Sequence, residues 1–221
     1  MNLIYLTKKR GIRMLVVVDH PLIKVHISVL RDHMTGTDEF RSRLTALTRL
    51  LAFPVLQDLD IVPMTVTTPL AQTTGYKLDK VPVLVPVLRA GLGMVEGFRD
   101  VVPNTVVSHL GMYRDHHTLK PIRYYSNFPT SYHDHPVILL DPMLATGGSA
   151  VDALDYLKQE GAQNIRVVSI ISAPEGIKKV DECHPDVNVF TAQLDEGLND
   201  LGYILPGLGD AGDRQFGTVL D

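Results

Sequence analysis

An aspartate followed by a run of small residues gives the chain its strongest chemical signal. The apolar run Val137 to Leu140 ends in Asp141, and the next residues include Thr146, Gly147-Gly148 and Ser149. Glycines let main-chain N–H groups close around an anion where a loop enters a helix, and the hydroxyls add donors. This arrangement of N–H groups is an anion nest. A nest without lysine suits a monophosphate, and the carboxylate beside it suits the diol of a ribose. A tight glycine-rich turn with a capping serine is the alternative.

Other nucleotide motifs are absent or fail on their context. The sequence contains no GxxxxGK[ST], which argues against a Walker-type NTPase. Residues 207–212 read GLGDAG, a literal GxGxxG, but Pro206 precedes them and only nine residues follow. That leaves no room for the helix and the later acid of a dinucleotide site. Gly91-Leu92-Gly93 could begin a second GxGxxG motif, but the next glycine is Gly97, one position later than that motif requires.

Histidine and cysteine give weaker signals. His133 and His135 flank an aspartate, but no third ligand with metal spacing accompanies them, so we expect no metal site there. We expect His116 and His117 to be solvated. The single cysteine, Cys183, cannot form an internal disulfide, which agrees with a reducing compartment.

The loop after Leu140 must be positioned by the elements around it. Apolar β-rich runs predict strands over 83–88, 105–107, 137–140, 165–171 and 187–191. Apolar residues at helical spacing predict one helix from Thr37 to about Leu51 and another from about Ser149 to Gly161. Strand, helix and strand over 137–171 form a βαβ unit, which predicts parallel strands and an α/β sheet. Ligands of such sheets bind beyond the carboxyl ends of the strands, where Asp141 lies.

Length and composition are those of an ordinary globular chain. It has 221 residues, 45% of them hydrophobic and 21% charged, and we expect one domain over residues 1–221. The longest apolar run, 81–88, is far short of the roughly 20 residues that cross a bilayer. The segment 14–18 is also too short for a signal peptide, so we expect a cytoplasmic protein.

The net charge of −4 is unevenly distributed. Residues 1–50 carry nine basic and four acidic residues, a net of +5, and the remainder carries −9. The acidic bulk argues against a general nucleic-acid surface, so a phosphorylated ligand should be held by main-chain amides, a few arginines and a metal ion. The basic residues of 1–50 are better explained by a solvated helix face than by an RNA contact.

Five segments together resemble the uracil phosphoribosyltransferases, a branch of the type I phosphoribosyltransferases. They are PVLRAGLGM (86–94), GMYRDHHTLKPIRYY (111–125), DPMLATGGS (141–149), SAPEGI (172–177) and YILPGLGDAGDRQFGT (203–218). They occur in the order of that family, and VILLDPMLATGGS is similar to its signature for 5-phosphoribosyl 1-diphosphate (PRPP). Val16 to Pro21 resembles the family's usual beginning, so we expect residues 1–13 to be a dispensable extension.

The resemblance implies a fold, a reaction and a set of sites. The fold is a mostly parallel central sheet flanked by helices, with a small hood from the N- and C-terminal segments. The reaction is transfer of ribose 5-phosphate from PRPP to N1 of uracil, giving UMP and diphosphate in pyrimidine salvage. The implied catalytic residues are Arg114 and Asp210. The implied PRPP-binding residues are Arg89, Arg114, Asp141, Pro142, Met143, Leu144, Ala145, Thr146, Gly147, Gly148, Ser149 and Asp210, and the implied uracil-binding residues are Ile204, Gly209, Asp210 and Ala211.

The family also implies partners. Mg²⁺ would be bound with PRPP, without a direct protein ligand, and GTP activates some relatives. We expect a homo-oligomer, a dimer or tetramer, and no membrane partner. Pro142 stands where most type I enzymes have a second acid, which shifts ribose binding to Asp141. Ser126 to Pro129 departs from the lysine-leucine pair that many relatives have before proline, within the expected mobile loop over 113–129.

Two other functions compete with this reading. The first is a regulator with the same fold that binds RNA and responds to nucleotide, supported only by the +5 charge of residues 1–50. The second is a transferase for another base, such as orotate or a purine, against which the PGLGDAGD segment argues.

Overall fold

The computed structural model describes residues 2–7, 14–114 and 121–218. Their strands are β1 (Asn2–Thr7), β2 (Met14–Asp19), β3 (Ile61–Thr67), β4 (Gln72–Leu78), β5 (Val83–Leu88), β6 (Val106–Val107), β7 (Leu110–Arg114), β8 (Pro121–Ser126), β9 (Pro136–Leu140), β10 (Met143–Leu144), β11 (Asn164–Ser172), β12 (Asn188–Leu194), β13 (Gly197–Leu198) and β14 (Ile204–Leu205). Their helices are α1 (Pro21–Arg31), α2 (Thr37–Val55), α3 (Leu92–Arg99), α4 (Gly148–Gln159), α5 (Pro174–Cys183) and α6 (Ala211–Phe216), with a 3₁₀ turn at Thr130–Tyr132.

The main sheet is mostly parallel, as the sequence predicts. Its long strands follow the order β1-β2-β12-β11-β9-β5-β7-β8, and those from β2 to β7 in this order are mutually parallel. The outer strands β1 and β8 pair antiparallel at the two edges. The strands β5 and β9 are continuous apolar runs, and β11 is buried after its first residue, because helices cover both faces of the sheet.

Alternate residues of each central strand enter two separate cores. Leu84 and Ile138 point to the face covered by α1, α2 and α3, where Phe40 and Leu47 are fully buried. The flanking Val83, Val85, Val137 and Leu139 point to the opposite face, where they pack with Leu154 of α4 and Val180 of α5. The sheet is thereby fixed from both sides, and the ends of its strands form a rigid platform.

The predicted βαβ unit is present. Strand β9 leads through α4 into β11, and the two strands pair in parallel from Pro136 with Asn164 to Leu140 with Val168. The helix ends before Gly161, which has a φ of 90°. The predicted helix at Thr37 is also confirmed and extends to Val55.

The N- and C-terminal segments meet above one end of the sheet, as the implied hood requires. Arg31 ends α1, and its guanidinium donates to the carbonyl oxygen of Gly207 at 3.2 Å. The Arg214 guanidinium of α6 donates to the carbonyl oxygens of Leu30 and of Asp32.

The structure contains a hairpin outside the main sheet, which the sequence analysis did not predict. Strands β3 and β4 pair antiparallel from Ile61 with Leu78 to Thr67 with Gln72. The Thr68 side chain closes their turn, since its hydroxyl donates to the carbonyl oxygen of Ala71 at 2.9 Å. Several large apolar side chains of the hairpin are exposed. Among the described residues, no helix has both the length and the apolar character needed to cross a membrane.

Candidate active site

The loop after β9 is anchored to the neighbouring strand before it turns into α4. Pro142 is buried, and its carbonyl oxygen accepts from the N–H groups of Ile170 and Ile171 at 3.0 and 3.1 Å. The two residues of β10 continue this pairing with Ile171 and Ser172. Pro142 therefore fixes the course of the loop, and its neighbours on either side face the cavity described below.

Gly147 supplies the turn that starts α4. Its φ is 79°, and a Cβ at this position would lie 2.9 Å from the carbonyl oxygen of Gly176. The first main-chain bond of the helix runs from Val151 N–H to the Gly147 carbonyl. The N–H groups of Gly148, Ser149 and Ala150 therefore have no partner within the helix, as is general for a first turn. They are available to an anion, and the prediction of an anion nest is compatible with this turn.

A cavity of about 290 Å³ brings most of the implied site residues together. One side is the loop and first turn of α4, and the other is the segment between β14 and α6. The lining residues are Ala90, Asp141, Met143, Leu144, Ala145, Thr146, Gly147, Gly148, Ser149, Ala150, Gly202, Tyr203, Ile204, Gly209, Asp210, Ala211 and Gly212. All four implied uracil positions and eight of the nine implied PRPP positions over 141–149 are in this set.

Asp141 lines this cavity, and the pKa of its carboxyl group is shifted. One carboxylate oxygen accepts from the Met143 N–H at 3.3 Å. Burial, and to a smaller extent the nearby negative charge of Asp210, nevertheless raise the pKa of Asp141 from 3.8 to about 6. A buried carboxylate that is ionised despite its raised pKa is a strong acceptor for hydroxyl groups, as binding of a ribose diol requires.

Asp210 both lines the cavity and caps a helix. Its carboxylate accepts from the Asp213 N–H at 2.9 Å and so caps α6. The sequence offers the capping role as an alternative to ligand contact, and the structure shows that both are geometrically compatible. Capping leaves the second carboxylate oxygen available to the cavity.

Arg89 lies beside the cavity, in the loop between β5 and α3. Its side chain is exposed, and it donates to the Asp213 carboxylate at 2.9 Å and to the Thr218 hydroxyl at 3.4 Å. The next residue, Ala90, lines the cavity, and its carbonyl oxygen accepts from the buried Gln215 amide at 2.8 Å. A Cβ at Gly212, another lining residue, would lie 3.9 Å from Arg89 Nη2, so the guanidinium is close to the edge of the cavity.

Some of the predicted residues fall outside this geometry. Arg114 ends β7, but its side chain lies outside the described part of the chain, as do His116 and His117. His135 contacts the Val81 carbonyl oxygen through Nδ1 at 2.7 Å, a structural contact at the start of β9. Among the described residues, no group of three or more His, Cys, Asp or Glu could hold a metal ion.

The sequence reasoning missed several lining residues. Ala90, Gly202, Tyr203 and Gly212 border the cavity, and each lies within two residues of a position that the motifs single out. Ala90, Tyr203 and Gly212 lie inside the quoted segments and Gly202 directly precedes one, and this was the available signal. Arg31 and Asp195, discussed below, have no such signal, because they come from distant parts of the chain.

Comparison with solved structures defines the class. Adenine phosphoribosyltransferase from Trypanosoma brucei, solved with AMP, pyrophosphate and ribose-5-phosphate, superposes with a TM-score of 0.56 at 13% identity, covering 91% of this chain and 90% of that chain. At this identity the likeness concerns the fold alone. This sheet, with an acid and a nest after β9, therefore defines a phosphoribosyltransferase fold.

The particular family follows from closer relatives. The family model "Uracil phosphoribosyltransferase" matches residues 17–218, so the chain belongs to that family. The uracil phosphoribosyltransferase of Finegoldia magna is 53% identical over 91% of this chain and 97% of that protein. The uracil phosphoribosyltransferase of Fervidobacterium nodosum is 50% identical over 93% of this chain and 100% of that protein. A solved Aquifex aeolicus protein superposes with a TM-score of 0.89 at 38% identity, covering 93% of this chain and 99% of that one.

Proposed function

We propose that this chain transfers ribose 5-phosphate from PRPP to N1 of uracil, giving UMP and diphosphate, as an enzyme of pyrimidine salvage. One observation carries the proposal. A single cavity joins the loop over 141–149, which can bind a ribose phosphate, to the turn over 204–211, which can bind a base. Membership of the family and relatives of that name at about half identity support the choice of uracil.

The PRPP end of the cavity is assigned by the chemistry of each group. The 5-phosphate accepts from Thr146, Ser149 and the N–H groups that open α4. The ribose hydroxyls donate to Asp141. We assign the diphosphate to Arg89 and Arg114, because guanidinium groups can form forked hydrogen bonds to its oxygens.

Catalysis consists mainly of positioning and leaving-group stabilisation. As the bond between ribose C1 and diphosphate breaks, negative charge grows on the diphosphate and the sugar becomes oxocarbenium-like. Arginine donors at the diphosphate stabilise the first charge, and we assign Arg114 to this role. Asp210 lies between the two substrates, where its carboxylate favours the positive charge on the sugar. The turn over 204–211 holds the base with N1 directed at C1.

The cavity is compatible with magnesium bound with PRPP. The carboxylates of Asp141 and Asp210 repel each other across it, and both offer the oxygen atoms that Mg²⁺ prefers. When bound, the ion supplies positive charge against the diphosphate. Asp141 would hold it through the ribose hydroxyls, without a direct bond from the protein to the ion.

The decisive experiment is incubation of the purified protein with PRPP, Mg²⁺ and labelled uracil. Formation of UMP and diphosphate is expected. Parallel reactions with orotate and hypoxanthine test the transferase for another base, and product from either of them but not from uracil would overturn the proposal. Omission of PRPP is the control for contaminating activities.

We further propose that the enzyme is a homo-oligomer, and the hairpin of β3 and β4 supports this. Leu70 at its tip is 97% exposed, Tyr76 is 64% exposed, and Ile61 and Met64 are also exposed. An isolated two-stranded hairpin is marginally stable in water, and its apolar side chains gain by burial against a second copy. Light scattering should show an oligomer for the wild type and a smaller species for the double variant Leu70→Glu with Tyr76→Glu. A monomeric wild type would refute this.

The remaining assignments rest on the family resemblance. They are activation by GTP and a cytoplasmic location, and the single cysteine agrees with the location. GTP added to the UMP assay should raise turnover. The regulator hypothesis predicts a salt-dependent gel shift with pyrimidine-operon leader RNA, and no shift at low salt would dispose of it.

A further inference from the structure

The turn over 204–211 packs against the core through Ile204, Leu208 and Ala211, but the glycines between them have no side chain to hold them. It contains Gly207 and Gly209, with φ values of 63° and 80°, on either side of the buried Leu208. A Cβ at Gly207 would collide with the carbonyl oxygen of Ile204, so the main chain folds tightly on itself there. Main-chain groups can read a base edge only if this turn stays in place, since hydrogen bonds weaken steeply with distance and angle.

A closed ring of three hydrogen bonds fixes Gly207. Its N–H donates to Asp195 Oδ2 at 3.0 Å, and its carbonyl oxygen accepts from Arg31 Nη1 at 3.2 Å. Arg31 Nη2 then donates to Asp195 Oδ1 at 2.5 Å. Both main-chain polar groups of Gly207 are thus held by one ion pair.

The two charged residues connect this glycine to the rigid parts of the fold. Asp195 directly follows β12, and its own N–H donates to the Ser172 carbonyl at the end of β11. Arg31 is the last residue of α1. The turn is therefore clamped between the carboxyl edge of the sheet and the hood.

The burial of the pair argues against an incidental surface contact. The Asp195 side chain is 1% exposed and that of Arg31 is 23% exposed. A buried carboxylate is costly to desolvate, so such pairs are weak sources of net stability and are better explained by the geometry that they impose. The neighbouring Arg214 extends the clamp, since it donates to the Leu208 carbonyl oxygen at 2.8 Å and lies over the Phe40 ring at 4.6 Å.

We propose that Arg31 and Asp195 are positioning residues for the base, acting through Gly207 on uracil affinity and on the choice of uracil over cytosine. This inference rests on the proposed function, which places uracil at the turn. Neither side chain lines the cavity of about 290 Å³, so their effect on the base is transmitted by the main chain.

Two conservative variants test the proposal. Arg31→Lys keeps the charge but cannot reach both partners in a fork, and Asp195→Asn keeps the shape but loses the charge. Loss of a charge-assisted hydrogen bond corresponds to about ten- to a hundredfold in a binding constant, so the uracil KM should rise by about tenfold or more. The PRPP KM should change much less, because its contacts lie mainly on the loop over 141–149. The ratio of kcat/KM for uracil to that for cytosine should fall.

A matched control separates positioning from stability. Arg166 is 5% exposed, pairs with Asp58 at 2.6 Å and donates to the Val55 carbonyl oxygen, at the opposite end of β11 from the cavity. Arg166→Lys should lower the melting temperature because a buried guanidinium loses hydrogen bonds, but leave the uracil KM and the base ratio unchanged. The base ratio does not depend on the folded fraction, so it remains informative for a destabilised variant.

A double-variant cycle completes the test. If both residues act through one ring, Arg31→Lys combined with Asp195→Asn should raise the uracil KM by clearly less than the product of the single effects. Wild-type protein that makes UMP while both single variants keep the wild-type uracil KM and base ratio would overturn the inference. Wild-type protein that makes no UMP would instead overturn the proposed function.

Discussion

Arg89 and Asp213 connect the two halves of the active site. The guanidinium of Arg89 donates to the Asp213 carboxylate at 2.9 Å, and the Asp213 N–H donates to the Asp210 carboxylate at 2.9 Å. The hydroxyl of Thr218, and after it the guanidinium of Arg89, lower the pKa of Asp213 below its usual range. A group assigned to the diphosphate and a group assigned to the base are thus joined through one residue, Asp213.

Arg89→Ala should weaken PRPP binding with little loss of stability. The pair with Asp213 is exposed, and exposed pairs contribute about 0 to 1 kcal/mol, so the melting temperature should hardly move. Loss of the diphosphate contact should raise the PRPP KM by about tenfold or more. Arg49→Ala is the matched control, because Arg49 forms an exposed pair with Asp100 away from the cavity. Equal PRPP kinetics in the two variants would contradict the assignment.

Asp141→Asn and Thr146→Val should both impair PRPP use in a folded chain. Each removes a hydrogen bond to ligand from a side chain that borders the cavity. A lost bond to a charged group is worth about 1.5 to 3 kcal/mol, or roughly ten- to a hundredfold in the relevant constant. Steady-state kinetics with varied PRPP measure this, and circular dichroism checks the fold. Unchanged PRPP kinetics in both variants would remove the loop over 141–149 from the PRPP site.

The raised pKa of Asp141 predicts a specific pH dependence of stability. Because its pKa rises on folding from 3.8 to about 6, the folded state binds the proton more tightly. Its contribution to stability is complete below pH 3.8 and is lost as the pH rises through 6. Asp141→Asn should therefore melt higher than the wild type at about pH 7.5, by about 2 to 4 °C for each kcal/mol regained.

The same comparison at acid pH provides the control. As the pH approaches 4, the wild-type carboxyl is protonated in the fold, and the difference between the two melting temperatures should shrink. A difference that is constant from about pH 4 to pH 8 would mean that the pKa of Asp141 is not raised.

Deletion of residues 1–13 should leave the reaction intact. The deletion removes β1, which pairs antiparallel with β2 at the edge of the main sheet, while β2 keeps its parallel pairing with β12. The family model also begins at residue 17. Uracil and PRPP kinetics of the shortened chain should match those of the full chain. Loss of folding or turnover would show that the edge strand is required.

Local patterns predicted the loop over 141–149 better than the rest of the cavity. Asp141 to Ser149 lie together in sequence, so strand end, acid, glycines and helix start could be inferred in order. Arg31 and Asp195 are 164 residues apart, and no spacing rule connects them. The hairpin of β3 and β4 was missed for a different reason. Its apolar residues are exposed, whereas periodicity arguments assume that apolar residues mark a buried face.

The last prediction concerns the choice of base. Uracil presents O2, N3–H and O4 as acceptor, donor and acceptor, and main-chain N–H, C=O and N–H groups of Ile204 and of 209–211 can match them. Cytosine replaces the last two by an acceptor and a donor, which leaves two mismatches at once. Buried unpaired polar groups are costly, so sites of this kind discriminate by roughly 10⁴ or more.

Cytosine should therefore be a very poor substrate, whereas 5-fluorouracil, which keeps the whole edge, should be accepted. Asp210→Asn serves as the side-chain control for main-chain recognition. Asparagine also caps helices, so α6 should remain in place. Turnover should fall because the carboxylate at the ribose is lost, while uracil stays preferred over cytosine. Comparable kcat/KM values for uracil and cytosine in the wild type would refute main-chain recognition, and loss of the preference in Asp210→Asn would assign it to that side chain.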